Sequence, residues 1–514
     1  MNPHVRHHLS LGERSSILMI LFKHQIIFLL VVAAIRLQML QSRNPLPLQG
    51  IAMKQLLEDI VREYGDYMEL RFHRRLSNSF KATKGRVDVA NHTFTAGVGV
   101  RVLVKGIWGF AATTDISKAG IRRAVERAQA CAKSLAQTKL RHNVKIRSGK
   151  LARFDYEAGG YRELLEMKTS DKLARVVETE RQLAKQSSRI HTASCRYNEL
   201  LEEKIIVTTD GASAMQRICQ PEFSVSAIAS KDGEQIASSK GAGVSGGWNC
   251  LFKHPSLEGM IEETAKMSID LLAAKYPEGG MKNVILDPAV VGLLCHEAIG
   301  HTVEADFVKA GSVAQGKIGA TVASPLVTMV DSGCESFTGY ATGNIPFDDE
   351  GVVSETTTII EKGKLVSYLH NKESAYEFDA QPTGSARAWQ YDDEPLIRMR
   401  NTYIVPGKDS LSDMISSIDD GYLVEGAGSG QADSNGEFMF GCSHVWHIKN
   451  GKKNELLREA TLSGIAFDVL KTVDAVSKEF RWDLGTGHCG KGQPAKVDAG
   501  GPYIKCKIHV GGRT

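Results

Sequence analysis

The 514-residue chain contains no CxxC pair; its nine cysteines, at 131, 195, 219, 250, 295, 334, 442, 489 and 506, are odd in number and scattered. That excludes a small disulfide-stapled scaffold and suits free thiols in a reducing compartment. Also missing is an apolar run long enough to span a bilayer. Ile26 to Ile35 is unbroken, but Lys23-His24-Gln25 separates it from Ile17–Leu21, and a spanning helix needs about 20 such residues. Nor is there an excess of one charge across the body of the chain. The net +4 arises before Met53, where Arg6, Arg14, Lys23, Arg36 and Arg43 face Glu13 alone. Residues 53–514 are formally neutral, which removes the electrostatic ground for a nucleic-acid partner. These absences predict a cytoplasmic protein without stable membrane insertion. Residues 1–52 are read as an extension ahead of a natural start at Met53. A signal peptide ending near Val32-Ala33-Ala34 is the alternative.

The length allows two or three domains with substantial cores. What the chain does have is His296-Glu297-Ala298-Ile299-Gly300-His301, an HExxxH arrangement directly after an apolar run. Imidazoles are good zinc ligands, and a carboxylate between them can act as a base. On a regular helix, residues five apart differ by about 140° and cannot both reach one ion. A π-type widening restores the shared face, and such bulges tend to occur at functional sites. The spacing therefore predicts a helix that is wide or broken between Ala298 and His301, with Gly300 the residue most able to permit it. Upstream, Val284-Ile285-Leu286 reads as a short buried strand. Asp287 and Pro288 follow as N-cap and N1 of the helix that leads into His296. The bland reading is a core helix whose histidines are satisfied by hydrogen bonds.

From Met53 the chain opens with a helix whose apolar face is Leu56, Leu57, Ile60, Val61 and Tyr64. Met68–Phe72 and Val87–Val104 read as antiparallel strands. Helices follow, capped by Ser117 and by Ser170, the second with Leu173, Val176, Val177, Leu183 and Ala184 inward. Between 189 and 250 come repeated strands turning at Asp210-Gly211 and Asp232-Gly233. Ser256 to Tyr276 reads as a helix stopped by Pro277 and Gly279-Gly280. This places a boundary between an amino-terminal and central α+β region, 53–280, and a carboxy-terminal domain, 281–514. Gly243-Val244-Ser245-Gly246-Gly247 matches GxSxG, but Trp248-Asn249-Cys250 does not supply the helix a nucleophile elbow needs; these are turn glycines.

Beyond the histidines the text is mostly strand. Asp348-Asp349-Glu350-Gly351 reads as an exposed acidic turn before a hairpin over Val352–Leu369. The glycine-rich stretch Glu425 to Gly436 reads as a mobile loop near the site. Phe438–Lys449 alternates and turns at Asn450-Gly451. Its Cys442, His444 and His447 are read as structural, because strand alternation sends His447 to the opposite face. Leu462 to Val476 is read as the last helix.

The tail, Gly485-Thr486-Gly487-His488-Cys489-Gly490-Lys491-Gly492, formally matches both GxGxxG and GxxxxGK. No helix follows for a dinucleotide fold, and Gly492 stands where Walker A needs a hydroxyl. What remains is a cysteine in a flexible glycine setting beside His488 and Lys491, whose thiolate could complete a zinc site as third ligand.

HEAIGHTVEAD and GHCGKGQ together resemble the TldD family of zinc metallopeptidases, also called TldD/PmbA. Residues 343–351 (GNIPFDDEG), 384–388 (GSARA) and 398–402 (RMRNT) support the likeness, which runs from about Met53 to the end. The resemblance implies an α+β amino-terminal region with antiparallel strands and a β-rich carboxy-terminal domain carrying the metal-site helix. It implies zinc held by His296, His301 and Cys489, with Glu297 as general base. It implies cleavage of short or unfolded peptides by a dimer, either a homodimer or a heterodimer with a paralogue lacking the metal motif. Where the family often shows Leu-Glu-Gly-Asp, this chain has Val303-Glu304-Ala305-Asp306, so Glu304 and Asp306 are candidates to orient the ligands, with solvated acids at a helix end as the alternative. Two other readings stay open at this point: a thiol hydrolase using Cys489, and a metal-stabilised regulatory subunit without turnover.

Overall fold

In the computed structural model the described residues are 46–137, 143–253, 255–334, 340–483 and 485–512. Residues 53–514 form one compact unit, and the apolar run Ile26–Ile35 lies outside the described residues. Among the described residues no helix is long and apolar enough to cross a membrane. The fold is α+β and mostly antiparallel.

Two sheets organise residues 53–514. The first runs Ile107–Thr113, Arg86–Val104, Tyr67–Thr83, Ile190–Thr208, Ser213–Lys231, with Asp155–Glu157 and Glu234–Gly243 on its far edge. Its long strands follow from alternation: Ala193, Cys195, Tyr197, Phe223 and Val225 point to one face and are buried. There they pack against the helices Thr169–Ala184 and Leu257–Asp270. The opposite face between Ser194 and Ser226 carries polar side chains. At the other end, from Leu200 to Thr208, both faces are buried, a signature of a strand covered on two sides. Helix Leu46–Val61 begins before Met53 and buries Leu57, Ile60 and Val61. Helix Lys118–Ala136 is capped as expected, the Ser117 hydroxyl accepting from Gly120 N.

The second sheet has eleven strands among the described residues. Its short central strand Gly280–Leu286 lies between Tyr422–Val424, parallel, and Ile504–Val510, antiparallel. The apolar triplet Val284-Ile285-Leu286 is therefore at most 1% exposed, and the helix that follows starts from a fixed floor.

Several sequence expectations are corrected. Thr169–Ala184 starts at Thr169 without a side-chain cap, so Ser170 lies inside it, and Ala184 faces solvent. The helix after Ser256 ends at Asp270, short of Tyr276. A one-turn helix, Trp248–Leu251, does follow Gly247, too short for an elbow. Glu425–Gly436 is no loop over most of its length. Strand Asp420–Ala432 pairs with Glu437–Lys449 through a bulge between Ala427 and Gly430, and the glycines serve that bulge. Leu462–Val476 is strand Ala460–Ile465 followed by a short helix, Ala466–Lys471.

The acidic turn is the largest correction. Asp348, Asp349 and Glu350 are all buried. Asp348 accepts from Val352 N and Ala386 N, and burial pushes its carboxyl up to about 8. Asp349 accepts from Lys204 Nζ at 2.9 Å and lies near Arg71, while Glu350 meets Arg101 and Lys372 N. Burial opposes the charge on Asp349, but Lys204 and Arg71 outweigh it and hold its carboxyl below the usual range. Asp349 and Glu350 are ion-paired fasteners where the carboxy-terminal residues meet the first sheet, and Asp348 is held by backbone amides. Asp349→Ala leaves Lys204 and Arg71 buried without the carboxylate that both face. We expect it to cost about 3–5 kcal/mol, read as a lower denaturant midpoint.

Candidate metal centre

The site is built on the cap that opens its helix. Asp287 Oδ1 accepts from Val290 N at 2.9 Å and its Oδ2 from Gly426 N at 3.1 Å, with Pro288 at the first helical position. One ordinary segment, Pro288–Leu293, is followed by a π-helix over Leu294–Gly300 and a 3₁₀ turn over His301–Val303. The amide of His301 bonds the carbonyl of His296. That i→i−5 bond is the expected widening, and it brings the two imidazoles onto one face with ring centroids 5.1 Å apart. Gly300 has ordinary helical angles, φ −56° and ψ −49°. Its role is space rather than conformational freedom, because a Cβ there would overlap the Met399 sulfur.

Cys489 arrives from the tail on the small hairpin His488–Gly490/Pro494–Lys496. The hairpin is held from below by Arg398, 0% exposed, which donates to Cys489 O at 2.6 Å and Gln493 O at 2.7 Å. The cysteine setting is thus braced and buried, not flexible as its glycines suggest. Its Sγ lies 3.2 Å from His301 Nε2, and the donor atoms of His296, His301 and Cys489 all fall within 4.8 Å of one another. His488, one residue earlier, points away from this group toward Trp389 and Glu222.

The electrostatics of the cluster are those of a thiolate among imidazoles. Burial opposes ionisation of Cys489, but His296 and His301 outweigh it and bring the thiol down to about 4. Burial disfavours a charged His301, yet hydrogen bonds to Cys489 and Glu304 carry it up to about 10. His296 is 3% exposed and neither ring nitrogen has a hydrogen-bond partner. Buried imidazole nitrogens without partners are rare, so a merely satisfied core histidine does not describe this residue. Glu297, partly exposed, has an oxygen 3.9 Å from His301 Nε2.

A second layer fixes His301. Its Nδ1 lies 3.0 Å from Glu304 Oε2, and Glu304 is fully buried. Lys491 Nζ donates to Glu304 at 3.0 Å, to Asp306 at 2.8 Å and to Ile397 O at 3.0 Å. Glu304 therefore directs Nε2 of His301 toward the sulfur, and Lys491 ties that carboxylate to the Cys489 hairpin. Glu304→Gln should lower metal affinity about 10–100-fold, measured by competition with a chromogenic chelator. Cys442, His444 and His447 stay outside the cluster: Cys442 Sγ meets Ala460, His444 meets Glu425 and His447 meets Asp420. Arg398 and Met399, which shape the site without touching its donors, had no signal beyond their place in the RMRNT stretch.

Three family profiles cover most of the chain: PmbA/TldA metallopeptidase domain 1 over residues 68–132, the central domain over 162–272 and the C-terminal domain over 279–512. A metalloprotease of Methanocaldococcus jannaschii is 31% identical across 86% of this chain and 96% of its own length. The chain belongs to the PmbA/TldD family. A zinc metalloprotease TldD homolog of Saccharolobus solfataricus is 27% identical over 87% of this chain and 96% of its own. In fold, TldE from Thermococcus kodakarensis superposes with a TM-score of 0.73 at 18% identity, covering 89% of this chain and all of that one. In this PmbA/TldD chain, the stretches that carry the resemblance are mostly interior. Arg400 and Asp331, both 0% exposed, pair at 2.8 Å. Gly343 N donates to Asn401 Oδ1 at 2.8 Å.

Proposed function

We propose that this protein is a zinc-dependent peptidase of short or unfolded peptides. On this reading it acts in the cytoplasm, as a homodimer or with a paralogue lacking the HExxxH residues. The observation that carries the reading is the unpartnered, buried His296 imidazole beside the Cys489 thiolate and His301. Two nitrogens and a sulfur are a donor set that zinc favours, and three protein donors are the number catalytic zinc sites use. A bound zinc would polarise the scissile carbonyl and lower the pKa of a water ligand to about 7.

The chain's own residues supply the rest. His296, His301 and Cys489 would hold the ion, and Glu304 and Lys491 keep His301 in the tautomer that presents Nε2. Glu297, the acid with access to solvent beside the donors, takes a proton from the attacking water and returns it to the leaving amine. The depressed Cys489 thiol also favours a second reading, in which that sulfur is itself the nucleophile of a thiol hydrolase. Chelation separates the two. Treatment with 1,10-phenanthroline should abolish cleavage of a disordered peptide, and added Zn²⁺ should restore it. Activity that survives removal of the metal supports the thiol reading. Full zinc occupancy with no turnover of any unstructured peptide, alone or with a paralogue, supports a regulatory subunit.

A further inference from the structure

The polar face of the first sheet carries a feature that the metal centre does not use. A cleft of about 310 Å³ opens there, lined by Lys81, Arg196, Ser194, Ser224, Ser226 and Thr486. Lys81 and Arg196 are directly opposite each other on adjacent antiparallel strands. Like charges in that position repel. Among the described residues neither cation has an acidic partner. Asp88 lies at the bulge beside Lys81's partner Val89 but forms no ion pair with that lysine, and Glu222, two residues from Ser224 on the neighbouring strand, is engaged by Lys496 and by Asn198. Arg196 is in turn opposite Ser224, and Ser194 opposite Ser226, so hydroxyl donors surround the two cations. A third cation at the rim, Lys240, pairs with Glu263 at 2.9 Å and leaves the other two as the unbalanced charge.

The cleft is tied to the metal centre through the tail. Thr486 forms one wall and lies three residues before Cys489 on the segment that carries it. Gly243 and Gly485 meet there so closely that a Cβ on either would strike the other's backbone. This seats the cysteine-bearing segment directly against the polar sheet face.

We infer that Lys81 and Arg196 form a carboxylate-binding subsite for the peptide substrate, selecting peptides that carry an acidic side chain or a free carboxy terminus there. The inference rests on the peptidase reading for its occupant, but its test does not need turnover. The probe is a fluorescein-labelled flexible decapeptide of Gly, Ser and Ala with one Asp. It is compared with its Asn counterpart and with the carboxy-terminal amide of each, by anisotropy on the full-length Glu297→Gln protein. The Asp or free-acid peptide should bind about tenfold more tightly than its uncharged counterpart, as expected for a charge-assisted hydrogen bond worth roughly 1.4 kcal/mol. The preference should disappear in Lys81→Gln and Arg196→Gln, and loss with Asp→Asn or with amidation tells which carboxylate is held. On active protein the same substitutions should raise KM for the preferred peptide while kcat stays within twofold. Equal affinity for charged and uncharged peptides, or a preference that survives both substitutions, overturns the subsite whether or not any peptide is cut. A carboxylate preference that depends on Lys81 and Arg196, with no cleavage of the same peptide by the unaltered zinc-loaded protein, would leave the subsite standing and sink the peptidase reading instead.

Discussion

Glu297→Gln should leave the zinc content of the purified protein unchanged and lower kcat for a disordered peptide about 10²–10⁴-fold, the range for removal of a positioned general base. The expectation comes from the division of labour inside the motif. His296 and His301 turn their rings toward Cys489, while the Glu297 side chain, between them in sequence, is the most exposed of the three. Its carboxylate is not among the grouped donor atoms. The amide is nearly isosteric and cannot accept a full proton, so the loss should fall on kcat with KM little changed. Metal analysis on the same sample separates this outcome from a damaged site. A Glu297→Gln protein with full zinc and full activity would remove Glu297 from the chemistry. A protein that lost both would make it a ligand.

What was readable before the structure was local. Asp287-Pro288 caps a helix because the side-chain acceptor and the fixed proline φ act within one turn. The five-residue spacing of the histidines forces a widened helix if they are to meet, and the hydrogen bond from His301 N to His296 O is that widening. Asn450 and Gly451 turn a hairpin with φ 49° and 71°, the left-handed angles their residue types tolerate. The two halves of the donor set were legible only as separate motifs, because no spacing rule connects position 301 to position 489.

The misreadings share one cause, partners distant in sequence. The Asp348–Glu350 trio has the composition of a solvated turn. It is interior because Lys204, Arg71 and Arg101 of the first sheet are brought to it. Leu462–Val476 has a helical stripe, but its first part is claimed by pairing with Glu437–Phe440 on one side and His509–Val510 on the other. Tertiary pairing outweighs a propensity worth tenths of a kcal/mol per residue. Gly300 looks from sequence like a point of backbone freedom, but what it provides is room for Met399. The Cys489 segment looked mobile from its glycines, yet Arg398 holds two of its carbonyls from the interior.

Cys489→Ser should strip most of the zinc from the protein and abolish peptide cleavage, while the fold persists. The thiol is ionised at neutral pH, since His296 and His301 outweigh burial and bring it down to about 4, so it presents an anionic sulfur to the ion. A serine hydroxyl at that position stays protonated and offers a neutral, weak donor. The hairpin need not move, because Arg398 grips the backbone carbonyl of residue 489 rather than its side chain. Near-native circular dichroism is therefore expected alongside the lost metal. Cobalt substitution gives a readout independent of activity: the unaltered protein should show a thiolate-to-cobalt charge-transfer band, and the serine variant should not. If Cys489→Ser instead retained full zinc and lost only activity, the sulfur would act on the substrate rather than on the ion. The two imidazoles would then need a third donor from elsewhere, and among the described residues no other His, Cys, Asp or Glu completes a group with them.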